Sequence, residues 1–288
     1  MILHVPIQKN GSLRFMIKNT PSILYKFRHF DAHGHHLSLI TQSNLWFANA
    51  KSFNDPFDTA FEYNFDRRDT DLAVEWARSA VMRHESHLSP ELREMRIREL
   101  VDKIRTDPEF CQKMKMESVN FNQNAFGICS LCATNINLLA WAHYSQDHTG
   151  FCVGLSVASL NSISLSMVPK KVLLDLHKVN YCDIYPSPNF FESMIHLEDT
   201  RHISDVIETK STDWDYEKEW RLVFWDHVNE GLQIGHESIK EVILGCRISH
   251  DNRKAILDAC RQYVPHAKVL QAIKKDRQFG LEFRSISK

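Results

Sequence analysis

The longest apolar runs in this 288-residue sequence are only about five residues, and that shortness limits what the chain can build. A membrane-spanning helix needs roughly twenty consecutive apolar residues, so no membrane partner is expected. Runs this short, bounded by turn residues, have the length of β-strands. They recur from Ser22 to the end of the chain, with one long interruption: from about Asp69 to Phe121 the sequence is strongly charged. Ser89-Pro90-Glu91 and Thr106-Asp107-Pro108-Glu109 mark helix starts there, a capping residue followed by proline in the first turn. The segment reads as amphipathic surface helices inserted at about 69–121.

The remaining segments alternate between strand and helix. SILYKFRHF, Ser22 to Phe30, places Leu24, Lys26 and Arg28 on one side and Tyr25 and Phe27 on the other. LSLITQS is a helical turn and NLWFANAKSF a second strand. AFGICSLCAT reads as a strand, NINLLAWAHYSQ as a helix and GFCVGLSV as a strand. HKVNYCDIY lies in a further strand-rich region, and a helix around IHLEDTRHISDVIETKS follows. EVILGCRIS, DNRKAILDACRQYV, AKVLQAI and LEFRSI close the chain as β-α-β-β. No linker composition interrupts this order, so the sequence predicts one α+β domain, residues 1–288, with a mixed, twisted sheet.

Composition narrows the setting. Hydrophobic and charged contents of 43% and 25% are ordinary for a globular chain. Nine glycines are about half the usual share of roughly 7%, leaving little material for phosphate-binding loops. A net charge of −1 exerts no global pull on nucleic acid, which would need a local patch. Lys274, Lys275 and Arg277 form one such cluster, either a solvated hairpin tip or a contact for RNA. Seven cysteines are an odd number in a chain too long to need staples, which points to reduced thiols. The opening MILHVPIQKNG lacks the pattern of a secretory leader, and the expected localisation is cytoplasmic.

Familiar catalytic signatures are missing: there is no HExxH, GxGxxG, GxxxxGKS or GxSxG. Cys129 and Cys132 form a lone CxxC inside a strand, and His33, His35 and His36 fall in a polar loop. Neither makes a metal site, and no metal is expected. Asn54 and Asp55 before Pro56 mark a side-chain-bonded turn in FNDPFD. In DYEKEWRLVF, a strand begun at Glu217 would point Glu217 and Glu219 the same way. Two carboxylates there are either the polar face of an exposed edge strand, paired with Lys218 neighbours or Arg221, or a functional pair. Trp214, Tyr216 and Trp220 are core aromatics or stacking surfaces.

FNDPFD (Phe53 to Asp58), WAHYSQDHTGFCVGL (Trp141 to Leu155) and WDYEKEWR (Trp214 to Arg221) together resemble a family of bacterial proteins, domain of unknown function 2971. The resemblance runs from about Ile23 to Ser285, leaving out the charged insertion, and the family name carries no function. More distantly, the layout resembles the ADP-ribosyltransferase fold. In that fold a first strand carries a basic residue, a middle strand a serine motif and a later strand a Glu-x-Glu. Here LYKFR supplies Lys26 and Arg28, ICSL supplies Ser130, and YEKEW supplies Glu217 and Glu219. The first strand departs from the family in lacking an arginine-glycine or histidine signature, and ICSL is not serine-threonine-serine.

The resemblance implies a split sheet of ADP-ribosyltransferase type, NAD as substrate and a macromolecular acceptor, protein, RNA or DNA. Glu219 would stabilise the ribosyl cation formed as nicotinamide leaves, and Glu217 would serve the acceptor as base. Ser130 would position the nicotinamide ribose or Glu219. Arg28, with Lys26 as its rival, would hold the pyrophosphate. Tyr25, Trp214 and Tyr216 complete the expected cofactor wall. A toxin or phage-defence effector is the implied role, with an antitoxin partner by analogy. The alternatives are a non-catalytic interaction protein of a defence or stress system and a nuclease-like hydrolase.

Overall fold

The structure is a computed structural model that describes residues 20–31, 34–59, 62–167, 173–195 and 201–288. The N-terminal segment MILHVPIQKNG, His33 and residues 196–200 of the expected IHLEDTRHISDVIETKS helix lie outside the described residues.

Along the chain, β1 (Ile23–Arg28), α1 (Ser38–Thr41) and β2 (Asn44–Phe47) precede three helices, α2 (Asp71–His84), α3 (Pro90–Thr106) and α4 (Pro108–Gln123). Then come β3 (Phe126–Cys132), α5 (Leu138–Tyr144), β4 (Phe151–Ser156), α6 (Val157–Met167), β5 (Leu174–Lys178) and β6 (Asn180–Tyr181). They are followed by α7 (Phe190–Ile195), α8 (Arg201–Glu208), β7 (Thr209–Lys210), β8 (Glu219–Trp225), β9 (Glu230–Gln233) and β10 (Ile239–Leu244). Helix α9 (His250–Tyr263), β11 (Lys268–Lys274) and β12 (Leu281–Ser285) end the chain.

These elements divide into two compact units. In the larger, eight strands form one sheet in the order β12-β11-β10-β4-β1-β3-β8-β5. Strands β10 and β11 run parallel, joined through α9 as a crossover must be, and the other neighbours are antiparallel. The mixed α+β sheet matches the class read from the sequence. One face buries Leu24, Leu131, Val153, Leu155 and Leu222 against Leu39 and Ile40 of α1, Leu160 of α6 and Ile256 of α9. The other buries Phe27, Cys152 and Ile243 against Trp141 of α5. Phe27 and Trp141 meet edge to face, centroids 5.1 Å apart, a favoured aromatic geometry. Covering on both faces explains why β4 and β8 are buried along their whole length.

The smaller unit takes in Ala50–Ala125 and Cys182–Lys210, so the charged stretch gathers its own core with a later segment. Trp76, Ala77, Ile97, Ile104, Phe190 and Phe191 fill that core. The expected helix starts are in place. The Ser89 hydroxyl accepts the Leu92 N–H at 3.3 Å, and Asp107 accepts the Phe110 N–H at 3.0 Å. In the FNDPFD turn the Asp55 carboxylate accepts the Phe57 N–H at 2.9 Å. Buried Asp58 pairs with Lys210 at 3.4 Å. Among the described residues, no helix is long and apolar enough to cross a membrane.

Candidate functional site

The local structure around the two glutamates corrects the sequence expectation. Residues Thr212–Glu217 wind into a 3₁₀ helix closed by Lys218 in the left-handed region, φ 47°. Strand β8 therefore begins at Glu219, and the strand period no longer relates Glu217 to its neighbour. Neither carboxylate is the polar face of an exposed edge strand: both residues are 2% exposed, and β8 lies between β3 and β5.

Each carboxylate has a specific partner. Glu217 accepts a hydrogen bond from the hydroxyl of Tyr144 on α5. Glu219 is gripped by the Arg221 guanidinium, Nε to Oε1 at 2.9 Å and Nη2 to Oε2 at 3.2 Å, the fork arrangement of charge-assisted pairs. Arg221 is fully buried. Burial first, then the charges of Glu217 and Glu219, raises the Tyr144 hydroxyl pKa above its ordinary value.

Strand register assembles the rest. Cys132 faces Glu219 and Ser130 faces Arg221 across β3 and β8, while His177 faces Arg221 from β5. Tyr25 faces Cys132 on one side and Gly154 on the other, and Gly154 faces Glu241. Cross-strand partners share a sheet face, so Glu241, Gly154, Tyr25, Cys132 and Glu219 form one row across five strands. Gly154 is needed there: a Cβ would lie 2.7 Å from Glu241 Cγ and 3.2 Å from Tyr25 Cε1. The Tyr25 pKa is raised by burial, then by its hydrogen bond to Glu241 and that residue's charge.

The same register sets Lys26 and Arg28 apart. They alternate with Tyr25 and Phe27, and face Val153 and Phe151 with Leu24's side of the sheet. The structure thus brings Tyr25 and Ser130 to the Glu219 face and does not bring Lys26 or Arg28 there. Lys26 Nζ donates to the Ser130 carbonyl at 2.9 Å. Arg28 Nε is buried with no hydrogen-bond partner among the described residues, and burial lowers the Arg28 pKa.

Helix α5 is tied to the glutamate loop. Asn137 accepts the N–H groups of Leu139 and Ala140 at 2.9 and 3.1 Å, and its own amide donates to the Tyr216 carbonyl. Half-buried Trp214 and Tyr216 have ring centroids 6.0 Å apart, whereas Trp220 belongs to the core. Beside this loop lies a pocket of about 540 Å³ whose lining includes Lys178, Tyr181, Lys218 and Glu219. The Glu219 N–H donates to the Tyr181 hydroxyl at 2.7 Å.

Cys129 and Cys132 sit in β3 on opposite faces, one in each core, so they cannot share a ligand. Among the described residues, no group of three His, Cys, Asp or Glu side chains is placed to hold a metal. Tyr144, His177, Tyr181 and Glu241 were not among the candidates read from the sequence. Arg221 did carry a signal, two residues after Glu219 and hence on its face once β8 is a strand.

A family model described as "Protein of unknown function (DUF2971)" matches residues 140–222. That is the family the sequence motifs resemble. The matched segment contains Tyr144, His177, Glu217, Glu219 and Arg221, whereas FNDPFD, Tyr25 and Ser130 lie outside it. No curated protein and no solved structure matches the chain.

Proposed function

We propose that the chain is an NAD-consuming ADP-ribosyltransferase acting on a cytoplasmic macromolecule, in the role of a toxin or phage-defence effector. One observation carries this reading. Strands β1, β3 and β8 are adjacent in the sheet although far apart in sequence. They bear the basic, serine and glutamate motifs in the order that the ADP-ribosyltransferase resemblance requires. Tyr25, Ser130 and Glu219 share one face of those strands.

In this reading Glu219, oriented by Arg221, stabilises the positive charge on the ribose as nicotinamide departs. Ser130, facing Arg221, helps fix that geometry. Lys26 and Arg28 are turned away, so the pyrophosphate falls to Lys178 and Lys218, which line the pocket with Glu219. Trp214 and Tyr216 offer the nicotinamide a stacking surface. Glu217 acts as base toward the acceptor, with Tyr144 holding it in place. An antitoxin partner is part of the proposal by analogy alone.

The test is nicotinamide release from NAD, with transfer of label to acceptors followed in parallel. Glu219→Gln should lose both by a factor on the order of a hundred or more while still binding NAD. Glu217→Gln should keep slow hydrolysis and lose transfer. Wild-type behaviour in both variants, or no release by the unmodified protein, would overturn the reading. A binding role without chemistry is the second reading, favoured by the closure of the Arg221 fork over a carboxylate that is 2% exposed. It requires NAD binding with no nicotinamide released.

A further inference from the structure

The hairpin between β11 and β12 carries a second pocket, separate from the Glu219 row. Lys274 pairs with Leu281 as the last rung, and the Lys275 N–H donates to the Gly280 carbonyl at 3.1 Å. The intervening residues form an exposed tip. Beneath it lies a cavity of about 480 Å³ whose lining includes Arg247, Lys274, Lys275, Arg277, His148 and Phe279. Among the described residues the lining holds four cations and no carboxylate. The nearest acid along the tip is Asp276, whose carboxylate is 3.8 Å from Arg277 Nε. Arg247 donates to the backbone carbonyl of Asp147 at 3.3 Å.

Two further features distinguish this hairpin from an ordinary solvated turn. Phe279 is fully exposed, at 103% of its reference area. A lone exposed apolar residue is unremarkable, but this one rims a cationic cavity. His148 stacks on Trp141 at 6.1 Å, 7° from parallel, and its buried Nδ1 has no hydrogen-bond partner.

We infer that this hairpin pocket binds single-stranded nucleic acid, with Phe279 stacking on a base and Arg247, Lys274, Lys275 and Arg277 holding the adjoining phosphates. A positive groove beside an exposed aromatic is the combination that single-strand binders use, because every base has a π-face and every linkage a charge. The cavity volume falls in the range of about 300–1,000 Å³ that takes a small organic group such as a nucleotide. An anionic membrane is the competing occupant of a basic tip with one aromatic. Membrane docking draws on a broad apolar face, whereas here one aromatic rims a concavity. Chain-wide neutrality does not oppose the assignment, since four cations line this one pocket.

The inference does not rest on the transferase reading. Its experiment is fluorescence anisotropy of the full chain with labelled single strands of about ten nucleotides. RNA and DNA arms are run from about 50 to about 200 mM salt. A single-strand complex that weakens with salt is expected. Phe279→Ala should reduce affinity about tenfold or more, and Arg277→Ala should flatten the log–log salt slope by roughly 0.7. Both side chains are exposed, so thermal melts confirm that each variant is folded. A stronger RNA arm identifies RNA as the source and a stronger DNA arm identifies DNA. The inference is overturned if neither strand binds, if both variants keep wild-type affinity, or if a mononucleotide binds as tightly as the oligomer. Binding to phosphatidylserine vesicles with none to either strand would overturn it in favour of a membrane.

Discussion

Arg221 is a charge held wholly inside the sheet. It is fully buried and its charge is matched by Glu219 through two hydrogen bonds. Arg221→Met would take the guanidinium fork from the buried Glu219 carboxylate, a loss of about 3–5 kcal/mol. Replacing both residues by methionine should recover most of that loss, because the desolvated charge goes with its partner. Urea unfolding of the two variants decides it, and a double variant no more stable than the single one would refute the pairing. Gly154→Ala is expected to cost about 1–3 kcal/mol through overpacking, since the new Cβ meets Glu241 and Tyr25 as well as Ile23 Cγ2 at 3.1 Å. Pairing it with Glu241→Ala should relieve part of the cost. At this scale the sequence was only half legible. The alternation in LYKFR correctly groups Lys26 and Arg28 with Leu24, but which side meets Glu219 depends on β1 pairing with β3, about which periodicity is silent. The turn at Glu217 escaped for a different reason: Lys218 is a non-glycine residue in the left-handed region, with no local signature.

Among the elements, the helix starts were the most legible, because a cap is local chemistry. Ser89→Ala should cost about 1 kcal/mol, read as a lowered denaturation midpoint, with Ser89→Asp restoring it. Asn137 holds two things at once, the first turn of α5 and the loop carrying Tyr216. Asn137→Ala should therefore cost about 1–2 kcal/mol and speed amide exchange in both α5 and residues 212–217. Faster exchange in α5 alone would mean the Tyr216 bond carries no weight. Short strands were found wherever apolar runs alternated, and the closing β-α-β-β is as read. Helix α6 was missed because VASLNSISLSM continues from the apolar strand GFCVGLSV with no breaker between them, and its cap, the Ser156 hydroxyl that accepts the Ser159 N–H at 3.3 Å, is also the last residue of β4. Strand β9, EGLQ, is too short and too polar to announce itself; its pairing with β2 makes it a strand.

For the whole molecule, buried and half-buried tyrosines are expected to lower stability at alkaline pH. Burial raises the hydroxyl pKa of Tyr25, Tyr63 and Tyr144 above the ordinary 10.0, and both compact units contain such residues. Below about pH 10 folded and unfolded chains alike hold the phenolic protons, so this contribution to stability is complete. Above it the unfolded chain releases protons that the folded chain retains, and stability falls as pH rises toward the folded values. Guanidinium midpoints at about pH 8, 10 and 11 should decline across the series. A constant midpoint would show that the tyrosines ionise without unfolding. The α+β class was legible from strand-length runs and their helical spacers. The division into two units was not, because Phe190 and Phe191 join the core of Trp76 and Ile97 across a long stretch of sequence, without any linker composition to mark a boundary.

The row of side chains running from Glu241 to Glu219 has a history as well as a shape. Strand β1 sits at the middle of the sheet, yet it leaves the ribosome first. At about 5–20 residues per second, the roughly 200 residues separating it from β8 take on the order of 10–40 s to synthesise. Cys132 is made only about halfway through that interval, and Glu219 and Arg221 do not exist until its end. The nascent chain therefore carries an unmatched central strand, a natural client for a holding chaperone, and the face built around Glu219 closes only once translation has passed Trp225.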